Sequence, residues 1–181
     1  MQQIILVTGP AGAGKSAVAE ALCERFDRMA HVEVDLLRHM IKAGYRHPWA
    51  DDAQAEEQRV LAVHNACAIA RACVEARYAV VIDDVVLAPA LAEYRAQLAG
   101  VGAHVHLVTL LPSLDVALAR DRGRSASIPD RVRALHAEFT RDVAASAHPG
   151  ATLDTSDDAN AALTADRVQD AVATGAALLA L

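Results

Sequence analysis

Continuous apolar runs alternate with segments whose apolar residues recur at helical spacing. Residues 3–8 (QIILVT) form an unbroken apolar run, the pattern of a strand buried on both faces. Residues 9–14 interrupt it, and Val18, Leu22 and Phe26 then recur every four residues, which predicts a helix. A second short strand is expected over residues 31–34, ending at Asp35, followed by a helix over 36–43 closed by Gly44. Residues 45–52 (YRHPWADD) read as a loop, after which Asp51 or Asp52 is placed to cap a long helix reaching about residue 77. Its predicted apolar face is Val60, Val63, Cys67, Ala70 and Val74.

The alternation continues with a third strand over 79–82, ending in Asp83 and Asp84, and a helix over 89–99 stopped by Gly100 and Gly102. A fourth strand (104–111), a helix (114–120), a polar loop (121–129, DRGRSASIP) and a helix (130–143) follow. Residues 151–154 are expected to form a fifth, short strand. The tail over 164–179 places Val168, Val172 and Leu179 on one helical face. Buried strands separated by helices imply an α/β fold with a five-stranded parallel sheet sandwiched by helices. No repeat is present, and the polar, Ala-rich stretch 156–162 is too short for a linker, so residues 1–181 are expected to form a single domain.

Composition narrows the class. Apolar residues make up 54% of the chain, enough for a packed core, but aromatics are scarce, so tight helix packing is expected in place of a core of large rings. No apolar run approaches the ~20 residues of a membrane span. The N-terminus enters a strand-like run directly, with no basic segment or cleavage pattern, so a cytoplasmic location is expected. Cys23, Cys67 and Cys73 lack metal-ligand or CxxC spacing, and the latter two read as small apolar residues of the long helix. The formal charge of −6 weighs against a general nucleic-acid-binding surface.

Candidate chemistry begins at the first turn. Gly9-Pro10-Ala11-Gly12-Ala13-Gly14-Lys15-Ser16 matches GxxxxGK[ST] in full, between a predicted strand and a predicted helix. Backbone N–H groups of such a loop converge on phosphate oxygens, and the helix that follows adds unpaired N–H groups and a positive dipole end. Gly9, Gly12, Ala13, Gly14, Lys15 and Ser16 are therefore the expected binding residues for a nucleoside triphosphate, ATP, within a P-loop NTPase fold. Lys15 is expected to reach the β- and γ-phosphates, and the Ser16 hydroxyl to ligate Mg²⁺. Asp83, at the end of an apolar strand, is the expected second metal-side group. Asp84 competes for that role because adjacent strand residues point to opposite faces.

Two further clusters suggest a second substrate. Asp35 stands at the carboxyl end of a strand, where open parallel sheets bind ligands, and Arg38 lies three residues on. The pair suits a general base and an acceptor-holding cation; the plainer role for Asp35 is a helix N-cap. Arg120, Arg122 and Arg124 cluster around the loop after the fourth strand's helix. Positioned arginines there stabilise the charge of phosphoryl transfer, so residues about 120–130 read as an arginine-bearing lid.

On these motifs the chain resembles the small P-loop kinases of the AAA type. These include polynucleotide 5′-hydroxyl kinases, shikimate and gluconate kinases, and chloramphenicol phosphotransferase. The resemblance rests on residues 4–16, DLLRHMI (35–41), VVIDDVVLAP (80–89), and Arg120 through Ile128-Pro129-Asp130 to Arg133. It is strongest toward the kinase part of phage-type polynucleotide kinase. The resemblance implies Asp35 as general base and Arg38 as an acceptor contact. It also implies arginines of 120–124 over the nucleotide, with Lys15 and Arg124 at the transferring phosphoryl group, and residues 153–155 near the adenine. The expected activity is ATP- and Mg²⁺-dependent phosphorylation of a hydroxyl group on a small molecule, a metabolite or an antibiotic. The alternatives are a nucleic-acid 5′-hydroxyl acceptor, disfavoured by net acidity and few stacking aromatics, and an NTPase switch without a second substrate.

Weaker signals remain. His104 and His106 share one strand face and form a possible metal pair without a third ligand. His47-Pro48-Trp49 either lines an acceptor pocket or closes a loop over the core.

Overall fold

A computed structural model describes residues 2–123 and 127–181. Five parallel strands stand in the order β2-β3-β1-β4-β5. They are β1 (Gln3–Thr8), β2 (Met29–Glu33), β3 (Ala79–Asp83), β4 (His104–Leu110) and β5 (Ala151–Leu153). The helices are α1 (Lys15–Cys23), α2 (Val34–Arg38), α3 (Ala53–Glu75), α4 (Ala88–Leu98), α5 (Leu114–Arg122), α6 (Pro129–Ala144) and α7 (Ala161–Ala173).

The period-2 alternation of β1 builds a core on each face. Ile4 and Leu6 pack with Val63, Cys67, Ala70 and Tyr94 of α3 and α4. Ile5 and Val7 pack with Val18, Leu22 and Val168 of α1 and α7. A smaller apolar cluster, with Ala11, Ala117, Val132 and Leu135 at its centre, joins the loop after β1 to α5 and α6. This arrangement places the loops after β1, β2 and β3 at one sheet edge, the carboxyl end where doubly wound sheets bind ligands.

Several boundaries differ from the sequence expectation. The second helix begins at Val34 and ends at Arg38, well short of residue 43. Val34 is fully buried and anchors the start, whereas Met40 is 69% exposed, so a longer helix would bury little. The chain instead leaves through the short-range bonds Met40 N–H to Leu37 O and Ile41 N–H to Arg38 O. Asp52 caps α3, accepting the Ala55 N–H at 3.0 Å. Ala55, Ala62 and Ala66 join the expected buried face, and Val60 is only half-buried.

The tail is not one helix. The helix ends at Ala173, and Leu179 lies against the α3–α4 side of the sheet while Val168 lies on the α1–α7 side. β5 pairs with Val108 to Leu110 of β4. The tail covers the rest of that edge, with an antiparallel bridge between His106 and Leu178. Leu107 N–H donates to Ala177 O, and Leu179 N–H to Val105 O, each at 2.8 Å. Satisfying the exposed edge of β4 outweighs extending an amphipathic helix. Among the described residues, no helix is long and apolar enough to cross a membrane.

Candidate active site

The turn after β1 is held by close backbone approaches. A Cβ at Gly9 would lie 2.2 Å from Leu110 O, and one at Gly12 would lie 2.3 Å from Ala117 O. Glycine is thus required where the loop packs on β4 and α5, independently of any ligand. Lys15 Nζ donates to Gly9 O and Pro10 O, each at 3.2 Å, and lies over the loop's own carbonyls. Thr8 Oγ1 accepts Val86 N–H at 2.8 Å and fastens the end of β1 to the chain after β3.

A cavity of about 590 Å³ opens over this loop. Gly12, Gly14, Lys15 and Ser16 line it, and so do Asp35 and Arg38. Asp83 and Asp84 both reach it and are both buried, but their partners differ. Asp83 faces the loop. Burial tends to raise its carboxyl, but the nearby His31, the Lys15 charge and the Ser16 hydroxyl together hold it below the ordinary value. Its Oδ2 is 3.8 Å from His31 Nε2, and it is buried without a hydrogen-bond partner.

Asp84 faces away from the loop. Its Oδ1 accepts Arg38 Nη2–H at 2.8 Å and Val85 N–H at 2.8 Å, and its Oδ2 accepts the Tyr94 hydroxyl at 3.0 Å. Arg38 Nη1 donates to Asp35 Oδ1 at 2.6 Å. Burial disfavours the Arg38 cation, but Asp84 and Asp35 outweigh that and raise its pKa. Burial, then the Asp84 charge, push the Tyr94 phenol well up, so it stays a donor. The N-cap of α2 is Glu33, with no side-chain capping bond, so Asp35 is not the cap and its exposed carboxylate projects at the cavity wall.

An orphaned, ionised oxygen at Asp83 beside the Ser16 hydroxyl is a hard-oxygen donor set that fits Mg²⁺. His104 and His106 do not line the cavity, and no cluster of three or more His, Cys, Asp or Glu suited to a metal occurs among the described residues. Burial pushes the Cys67 thiol up to about 12, which fits its core position.

The arginines separate. Arg120 lines the cavity, donating to Ala13 O at 3.2 Å and to Thr155 O at 3.0 Å. It thereby ties the phosphate loop to the chain after β5. Ala13 is itself buried beneath the loop, and neither it nor Gly9 lines the cavity. Arg122 is exposed and is not part of the lining, because α5 continues through it and turns it outward. Arg124 lies outside the described residues. Arg131, which sequence reasoning did not single out, lines the cavity from the first turn of α6; Pro129 at the start of that helix was the available signal. Asp121, expected in the polar loop, is fully buried in α5, accepting the Ser127 hydroxyl at 2.6 Å and Ile128 N–H at 2.9 Å.

Residues 4–149 match the family described as the AAA domain. The chain belongs to that family. Solved structures to which this AAA-domain chain is similar include the following three. The Deinococcus radiodurans tunicamycin resistance protein is 21% identical, covering 100% of both chains, with a TM-score of 0.66. Shikimate kinase from Acinetobacter baumannii, in complex with shikimate, is 23% identical over 97% of this chain and 94% of the other, with a TM-score of 0.64. The APS kinase CysC of Mycobacterium tuberculosis, in complex with AMPPNP and APS, is 19% identical over 95% and 98%, with a TM-score of 0.70. These likenesses establish the P-loop kinase-like fold of the AAA-domain chain. No curated protein sequence matches it.

Proposed function

We propose that this protein is an ATP-dependent phosphotransferase that phosphorylates a hydroxyl group of a small molecule. The supporting observation is that Lys15 and Ser16 line the same cavity as the Asp35–Arg38 pair, so donor and acceptor machinery face one space. A simple nucleotide switch has no need of a carboxylate held at 2.6 Å by a largely buried arginine in the cavity lining.

Catalysis is mainly positioning and charge neutralisation. The loop amides and Lys15 hold the β- and γ-phosphates. Ser16 and, through water, Asp83 would hold Mg²⁺, which supplies neutralisation of the phosphate oxygens when bound with the nucleotide. Arg38 occupies Asp35 Oδ1 and leaves Oδ2 to accept the acceptor's hydroxyl proton. The acceptor oxygen bonds to the γ-phosphorus as the bond to the β,γ-bridging oxygen breaks, and ADP leaves. Lys15 and Arg120, together with Arg124, neutralise the charge spread over the transferring group.

The test is ATP consumption with a panel of hydroxylated metabolites and antibiotics, with products weighed by mass spectrometry. One compound that stimulates ADP release and gains a phosphoryl group is the expected result. Uniform slow hydrolysis, with no phosphorylated product, would overturn the proposal.

A further inference from the structure

The protein's single tryptophan sits in the cavity wall. Trp49 is 50% exposed and, with Pro48, lines the same space as Asp35. A tryptophan closing a loop over the core would be buried; this one is not. It ends a row of four rings. His39 and Tyr45 have centroids 5.5 Å apart, Tyr45 and His47 meet edge-on at 5.4 Å, and His47 stacks on Trp49 at 4.6 Å with a 12° interplanar angle. His47 stacks on the indole, and the tryptophan as a whole stays half-exposed.

The loop bearing this row is strapped to the start of α3. Arg59 Nη1 donates to Pro48 O at 2.8 Å and Ala50 O at 3.0 Å, on either side of Trp49, while its other nitrogens grip Glu56. Arg46 N–H donates to Gln58 Oε1, and Gln58 and Gln54 donate back to Gly44 O. The indole is therefore held in place before any ligand arrives, which lowers the ordering cost of binding. Leu87, Ile128 and Leu135 give the same cavity an apolar wall. The rest of the lining is strongly charged, so the fixed indole and these apolar side chains are the surface on which the flat face of a ligand can pack.

We infer that Trp49 is an acceptor-binding residue and that the acceptor is an alcohol carried on a flat-faced ring, which packs on the indole with its hydroxyl directed to Asp35. This rests on the phosphotransferase reading for the hydroxyl, but not for the ring. Aromatic alcohols, nucleosides and glycosides share the required face, and an acyclic polyol lacks it.

Because Trp49 is the only tryptophan, its fluorescence reports the contact directly. The whole protein, with a non-hydrolysable ATP analogue and Mg²⁺, is titrated with benzyl alcohol, uridine, methyl glucoside and sorbitol. Saturable quenching by at least one ring compound and none by sorbitol is expected, and the responding arm identifies the ring class. For the acceptor that stimulates turnover, Trp49→Ala should raise KM roughly tenfold with little change in kcat, and Trp49→Phe should recover most of it. Retained binding of a fluorescent ATP analogue shows that each variant is folded. Quenching without any stimulated ATP turnover would uphold the ring site and remove the kinase reading. A stimulating acceptor whose KM is unmoved by Trp49→Ala, or no saturable quenching across the ring compounds, would overturn the inference.

Discussion

Arg38 and Asp84 form a buried ion pair at 2.8 Å, with the Asp84 side chain only 1% exposed. The pair joins the fold to the site. Asp84 is held from the core by Tyr94, and Arg38 carries that order outward to Asp35 at the cavity wall. A buried pair of this kind contributes little over an apolar replacement, but removing one partner strands a charge. Arg38→Ala is expected to cost about 3–5 kcal/mol in unfolding free energy. Urea titrations followed by circular dichroism measure it; a change under about 1 kcal/mol would show that water solvates Asp84 in the variant. Arg38→Lys keeps the charge but loses the fork that spans two carboxylates, so its larger deficit should appear in turnover.

Asp83 serves the other side of the cavity. Asp83→Asn removes the anion beside Ser16 and should weaken Mg²⁺ binding about 10- to 100-fold in the presence of a non-hydrolysable ATP analogue. Calorimetric titration gives the affinity directly, and an unchanged value would remove Asp83 from the metal's surroundings. The pH dependence has a definite sign. The folded pKa of Asp83 lies below its ordinary value of 3.8, so its contribution to stability is complete above that value and is lost as pH falls through the folded pKa. Stability of the Asn variant should therefore fall less steeply on acidification.

Arg120 and Arg122 are two residues apart on α5, and they are expected to behave oppositely. Arg120 bonds the carbonyls of Ala13 and Thr155, joining the loop after β1 to the chain after β5, whereas Arg122 is exposed. Arg120→Ala should lower affinity for a fluorescent ATP analogue by about tenfold or more, the typical worth of lost charge-assisted contacts. Arg122→Ala should change it by less than about twofold. Equal losses in both variants would mean that α5 turns on binding.

The parallel sheet and the phosphate loop were legible in the sequence because they are local patterns: unbroken apolar runs, and a glycine-spaced turn between a strand and a helix. The assignment of Asp83 and Asp84 to opposite sides was not. Alternation states that they diverge, but which one meets Ser16 depends on α4 bringing Tyr94 beneath Asp84. Arg131 and Arg59 were missed for the same reason, since each enters the cavity from a helix placed by packing. The tail failed because a helical period in 164–179 competes with the open edge of β4, a contact far away in sequence.

Asp35 gives the sharpest separation of catalysis from structure. Helix α2 has Glu33 as its N-cap without a side-chain bond, so Asp35 has no capping bond to lose. Its carboxylate is 63% exposed and its bond to Arg38 is screened, so that pair is worth under ~1 kcal/mol. Arg38 keeps Asp84 in either variant. Asp35→Asn and Asp35→Ala should therefore both unfold within about 1 kcal/mol of the parent. Asparagine preserves the shape and can still accept from Arg38, but it takes no proton at neutral pH. If Asp35 is the base, both variants lose turnover by roughly 10²–10⁴ while ATP-analogue affinity stays near the parent value. If Asp35 only orients the acceptor, Asp35→Asn should keep most of its rate and raise acceptor KM instead. An Asn variant retaining more than about a tenth of the parent kcat, with chemistry rate-limiting, would transfer the base role elsewhere. Among the described carboxylates in the cavity wall, Asp83 is turned to the phosphate loop and Asp84 is saturated by Arg38 and Tyr94, so Glu33 would be the group to examine next.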